Sequence, residues 1–234
     1  MQRDRAGLPD SHPLLYRFGR VVCPAYFALM HGVRWVGAEN IPRTGPAIIA
    51  ANHQSYYDPV IISLTVRRRI IFAGWDKFFR YPVLGYLLRS FSVVPVDLDA
   101  PGPSSYASLL RALRAGELCG IFPEGGRTPD GMLQPPQPGV GALALATGAP
   151  VVPVTVHGAH RAWPLGNALP TPARIELFIG EPMTFRRCSG ARSHERRAEI
   201  TLAVMHRIAD GFAKLGRPDL AQTTRRRLTR TDAS

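Results

Sequence analysis

Residues 47–59 read AIIAANHQSYYDP. The apolar run Ala47–Ala51 stops abruptly at Asn52-His53, and an aspartate follows five positions after the histidine. A run that is apolar at every position is what a strand buried on both faces requires. The polar segment after it supports two compatible readings. Asp58 precedes Pro59 and the apolar stretch Val60–Leu64, which is the pattern of a helix N-cap with proline in the first turn. A capping aspartate is also held rigidly enough to accept the Nδ1–H of His53. That contact fixes the imidazole tautomer and leaves Nε2 as a general base.

Working outward, further short β-rich runs occur at Arg69–Ala73, Ser92–Val96, Cys119–Phe122, Val151–Val156 and Arg174–Ile179. Helical periodicity falls around 14–32, 59–66, 81–90, 104–115, 139–147 and 192–215. Strands alternating with helices imply crossover connections. The expected fold is therefore α/β: a single domain with a twisted, mostly parallel sheet, helices on both faces, and an added N-terminal amphipathic helix. Ligands of such sheets bind at the carboxyl ends of strands. His53 lies just past one such end, and PEGGRT (123–128), within FPEGGRTPDG (122–131), lies just past another.

That second segment also reads two ways. Glu-Gly-Gly and Pro-Asp-Gly are good turn formers. Gly125 and Gly126 also let backbone N–H groups approach an anion, and Arg127 adds a planar charged fork suited to phosphate or carboxylate. Glu124, close to Arg127, is expected to be ionised and oriented by it.

Composition narrows the partners. The chain has 234 residues, 45% of them hydrophobic, with a formal charge of +12 carried almost wholly by arginine, since Lys77 and Lys214 are the lysines. Such an excess suits nucleic acid, an anionic membrane surface or phosphorylated substrates. The arginines are not interleaved with aromatic residues as in a single-strand-binding surface, and no nucleic-acid partner is expected. Cys23, Cys119 and Cys188 are odd in number and widely spaced, which fits neither a disulfide framework nor a zinc site and suits a reducing compartment. His157 and His160 lack a nearby third ligand, so no metal is expected. A G-x-S-x-G elbow and a G-x-x-x-x-G-K-[ST] loop are both missing, which disfavours covalent acyl-enzyme and P-loop chemistry. The N-terminus lacks the apolar core of a secretory leader, and VVCPAYFALMHGV (21–33) falls short of the roughly 20 apolar residues a span needs. Flanked by Arg17, Arg20 and Arg34, that stretch suits a helix lying on a membrane.

Together these segments match a known pattern. NHQSYYD (52–58) resembles the N-H-x-x-x-x-D motif of the glycerolipid (lysophosphatidic acid, or 1-acylglycerol-3-phosphate) O-acyltransferases. FPEGGRTPDG is similar to that family's F-P-E-G-T-R-S block, and GAPVVPVTVHG (148–158) to its third, apolar motif. The segment 76–97 resembles the stretch between the first two. The likeness covers residues 35–185 in the expected order. It implies transfer of an acyl group from a coenzyme A or acyl-carrier-protein thioester to a lipid hydroxyl, with no further cofactor. His53 would be the base, Asp58 would orient it, and Glu124, Gly125, Gly126 and Arg127 would bind the substrate. Two positions depart from the family pattern: Leu98 and Gln137 stand where it commonly has arginine and lysine. Both changes remove a cation from the acceptor's phosphate grip, so a non-phosphorylated lipid or glycolipid is the alternative acceptor. The expected organisation is a tail and membrane-surface helix over 1–34, an acyltransferase domain over 35–216 and a basic, mobile tail over 217–234. The expected location is peripheral, on the cytoplasmic face of a membrane.

Overall fold

The computed structural model describes residues 13–97, 106–187 and 193–231. Seven strands form one sheet: β1 (Arg34–Val36), β2 (Ala47–Ala51), β3 (Ile70–Trp75), β4 (Val93–Val96), β5 (Leu118–Ile121), β6 (Val151–His157) and β7 (Glu176–Ile179). Their spatial order is β1-β7-β6-β2-β5-β3-β4. Every pairing is parallel except β6 with β7. The chain therefore reverses direction after β6, and β1 follows β7 in the reversed sense. Among the described residues eight α-helices accompany the sheet: α1 (Pro13–His31), α2 (Asp58–Leu64), α3 (Pro82–Ser90), α4 (Ala107–Arg114), α5 (Gly139–Thr147), α6 (Ala159–Ala162), α7 (Ser193–Lys214) and α8 (Pro218–Thr231).

The period-two geometry of a strand sorts each run onto two faces. In β2, Ile48 and Ala50 join a core with residues of α4, α5, α7 and α8. Ala47, Ile49 and Ala51 join the opposite core with residues of α1, α2 and α6. Every residue of β2 is buried, as the apolar run requires. Strands β5 and β6 flank β2 in parallel, so the carboxyl ends of all three open on one rim.

Three expectations need correction. Residues 217–234, read as a mobile tail, instead contain α8 as far as Thr231. Ala221, Thr224 and Leu228 recur at helical spacing and are buried, and Ala221 and Leu228 join the core that α7 also fills. The edge strand β1 was not foreseen. It has three residues, all exposed, and so carries no periodic signal. Asp58 is not the N-cap of α2: Tyr57 holds that position without a side-chain bond, and Asp58 turns back toward the residues before it. Leu98 and Cys188 lie outside the described residues.

Candidate active site

The end of β2 is pinned sideways. The Asn52 amide donates to the Val156 carbonyl (2.9 Å) and accepts from the Val156 N–H (2.7 Å). This two-point clamp across to β6 fixes where the chain leaves the sheet, and so where His53 begins. Sequence reading passed over Asn52. The signal was an amide side chain, able to give and take at once, set at the end of a buried strand.

His53 is held from four sides. Its Nδ1 is 2.8 Å from Asp58 Oδ2. Its N–H donates to Glu124 Oε1 (2.7 Å), and its carbonyl accepts from the Thr128 N–H (2.8 Å). The ring stacks on Phe122 at 3.9 Å and 12°. Phe122 in turn stacks on Phe72, whose ring occupies the space a side chain on Gly120 would fill. The His53 side chain is 17% exposed and that of Asp58 is fully buried. With Nδ1 committed to the buried carboxylate, Nε2 is the nitrogen left to meet a substrate.

Asp58 Oδ2 accepts not only from His53 but also from the N–H groups of Gln54 (2.6 Å) and Ser55 (2.7 Å). Three donors on one oxygen hold the carboxylate in a single orientation, and bonds to an ionised acceptor are among the stronger ones. The residues between the pair are structural. Gln54 Nε2 donates to the Gly131 carbonyl (2.8 Å), and Ser55 Oγ donates to that of Trp163 (2.9 Å). The Tyr57 and Tyr26 hydroxyls lie 2.5 Å apart, tying α1 to the turn that carries Asp58.

The Arg127 guanidinium lies 3.5 Å from the centre of the Tyr56 ring, and its Nη1 is buried without a hydrogen-bond partner. Tyr56 rests on Trp163. The cation–π contact fixes the plane of the fork. A buried donor without an acceptor carries a desolvation cost that a bound anion would relieve.

Glu124 departs from expectation. Among the described residues it makes no ion pair with Arg127. Its oxygens accept instead from the N–H groups of His53 and Gln134 (2.7 and 2.8 Å). Burial pushes its carboxyl up to about 8; the two amides pull the other way, and the charges of Asp58 and Asp130 push further up. Desolvation disfavours the ionised form, and no cation among the described residues offsets it. Glu124 is thus a strap between the two loops rather than the partner of Arg127. Gly125 sits at φ 73°, where a side chain would be strained, and its N–H closes a turn onto the Phe122 carbonyl (3.0 Å). That N–H is therefore committed to the turn rather than to an anion, whereas the position of Gly126 opens onto free space. The Gln137 side chain packs near Gly125 through its Cγ and carries no charge. Cys119 is buried, and burial first of all pushes its thiol up to about 12, so it is no nucleophile at neutral pH.

Residues 32–157, more than half of the chain, match the acyltransferase family. The chain belongs to the acyltransferase family. A 1-acyl-sn-glycerol-3-phosphate acyltransferase of Bacillus subtilis is 29% identical over 202 residues, covering 86% of this acyltransferase and 98% of the relative. A chloroplastic 1-acyl-sn-glycerol-3-phosphate acyltransferase of Brassica napus is 33% identical over 153 residues, 63% of this chain and 44% of its own. The crystal structure of the 1-acyl-sn-glycerophosphate acyltransferase PlsC of Thermotoga maritima superposes with a TM-score of 0.65 at 26% identity, covering 82% and 78% of the two chains. The acyltransferase sheet thus carries an imidazole–carboxylate pair and a stacked guanidinium on one rim.

Proposed function

We propose that this acyltransferase moves a fatty acyl group from a coenzyme A or carrier-protein thioester to the free hydroxyl of 1-acylglycerol-3-phosphate. The observation that carries the reading is the 2.8 Å contact between His53 Nδ1 and the buried Asp58, which dedicates Nε2 to proton transfer. In the reaction, Nε2 takes the proton of the acceptor hydroxyl as its oxygen attacks the thioester carbonyl. The C–S bond then breaks, the thiolate leaves and the imidazolium returns the proton to sulfur. Asp58 stabilises the imidazolium. Arg127, with a buried nitrogen lacking a partner, receives the acceptor's phosphate. Glu124 and Gly125 hold the loop that presents Arg127, and Gly126 leaves room beside it. The reading gives no role to a metal or organic cofactor.

An amphiphilic acceptor is met at a membrane surface. α1 exposes Phe18, Val21, Val22 and Leu29, and α3 exposes Val83, Leu84, Tyr86 and Leu87, with Tyr81 exposed just ahead of it. Neither helix contains an acidic residue. Among the described residues no helix is long and apolar enough to cross a membrane. These features support peripheral attachment to an anionic leaflet, on the cytoplasmic face where thioester donors are made.

A second reading, the same chemistry on a non-phosphorylated lipid or glycolipid, is favoured by one observation: Gln137 brings no charge to the Gly125 turn. Purified protein incubated with acyl-coenzyme A or acyl-carrier protein, against a panel of lysophosphatidic acid and neutral lipid alcohols, separates the two by mass spectrometry of the products. Acylation of lysophosphatidic acid ahead of the neutral acceptors is expected. Preference for a neutral acceptor would establish the second reading.

A further inference from the structure

The segment between β5 and α5 carries Glu124 and Arg127 but contains neither helix nor strand. Asp130 organises it. Its Oδ1 accepts from Thr128 Oγ1 (2.8 Å), the Met132 N–H (3.0 Å) and Gln134 Nε2 (3.0 Å). Two of these partners act directly on the site, because Thr128 donates its N–H to the His53 carbonyl and Gln134 donates its N–H to Glu124. The other carboxylate oxygen of Asp130, Oδ2, accepts from Arg227 Nη1 (2.9 Å) on α8, a residue 97 positions away. Burial pushes the Asp130 carboxyl up, but the Met132 amide, the Thr128 hydroxyl and Arg227 together hold it below its ordinary value.

α8 is a firm platform for that contact. Its buried face rests on the core shared with α7, Arg225 pairs with Asp210 of α7, and Arg217, just ahead of the helix, reaches Glu176 (3.5 Å) at the start of β7. A loop with no secondary structure of its own gains an external fixed point from a helix seated on the core.

We infer that Arg227 is a positioning residue: from α8, through Asp130, it holds the 122–137 loop so that Glu124 and Arg127 stand beside His53. The consequence for catalysis rests on the function proposed above; the consequence for loop order does not. Arg227 is linked to His53 only indirectly, through Asp130, Thr128 and the His53 backbone.

The test compares full-length Arg227→Ala, Arg227→Lys, Asp130→Asn and the double variant Asp130→Asn/Arg227→Ala. Amide hydrogen exchange at Thr128 and Gln134 is read alongside kcat and KM for lysophosphatidic acid. An exposed ion pair is worth little, so Arg227→Ala is expected to speed exchange at both amides, and to raise KM, by roughly three- to fivefold. With kcat nearly unchanged and Tm moved by less than about 2 °C, the effect is local to the loop. Arg227→Lys restores most of it, and Arg227→Ala adds nothing in the Asp130→Asn background. Unchanged exchange at Thr128 and Gln134, full additivity of the two substitutions, or a general rise of exchange with a fallen Tm would each overturn the inference. A wild type that acylates none of the acceptors would refute the proposed function and leave the exchange measurements to decide this one.

Discussion

The two loops at the rim are built on opposite plans. The first, from Asn52 to Asp58, is short, begins at a residue clamped to β6 and runs straight into α2. Asn52, Gln54, Ser55 and Asp58 Oδ2 bond to Val156, to one another, and to the neighbouring Gly131 and Trp163 carbonyls, while Asp58 Oδ1 is buried without a partner. The second, from Phe122 to Gln137, is long and has Leu133 buried as its apolar anchor. Its carboxylates bind the first loop, its own backbone and a distant helix. The short loop fixes the proposed base to within a hydrogen bond. The long loop carries the cation and borrows its order. Proton transfer tolerates little error in geometry, whereas gripping an anion tolerates more, so rigidity is concentrated at the loop to which the proposal gives the proton transfer.

That contrast is broken most sharply at His53. His53→Ala is expected to lower kcat by about 10²–10⁴-fold, the usual contribution of a positioned base, with Tm largely retained. Asp58→Asn should lower kcat by a similar order and also reduce Tm, because the buried oxygen that gathers three donors loses its charge. Turnover near that of the wild type in His53→Ala, measured with any accepted acceptor, would remove the base from the mechanism.

Arg127→Leu tests the second loop. A charge-assisted hydrogen bond contributes about 1.5–3 kcal/mol, so KM for lysophosphatidic acid should rise by roughly tenfold or more. A neutral lipid alcohol should be affected little. If the two acceptors lose equally, Arg127 shapes the loop and does not grip the phosphate.

The smallest effect is a pH slope. The Glu124 carboxyl stands at about 8 in the folded chain against an ordinary 4.5, so the folded state keeps a proton that the unfolded chain releases. Its stabilising contribution is full below about pH 4.5 and is lost as pH rises through about 8. Tm should therefore fall across that window in the wild type, and the fall should flatten in Glu124→Gln. A slope that survives the substitution would assign the proton to another group.

Much of the rim was legible because it is written in local pattern. The apolar run Ala47–Ala51 and the residues after it declare a strand end and a possible base. The parallel neighbours follow from alternating strands and helices. What escaped was whatever depends on contacts remote in sequence. Glu124 looks like the partner of Arg127 because they are three apart, yet it binds backbone amides, which no side-chain pattern encodes. The run of arginines in α8 masked Ala221, Thr224 and Leu228, whose spacing is helical and whose burial comes from the core beneath. Asp58 was expected to cap the helix it opens. Its carboxylate does cap backbone N–H groups, but those of the turn behind it.

The two outer strands have a consequence of a different kind. A sheet open at both edges offers unpaired backbone to any other extended chain and can grow into an aggregate. Here β1 contributes three residues headed by a charged arginine, too short a rail for a stranger to zip along. At the far edge β4 reads Val-Val-Pro-Val, and Pro95 has no N–H to offer. Both margins are poor templates, so a chain rich in apolar strands is protected from stacking edge to edge.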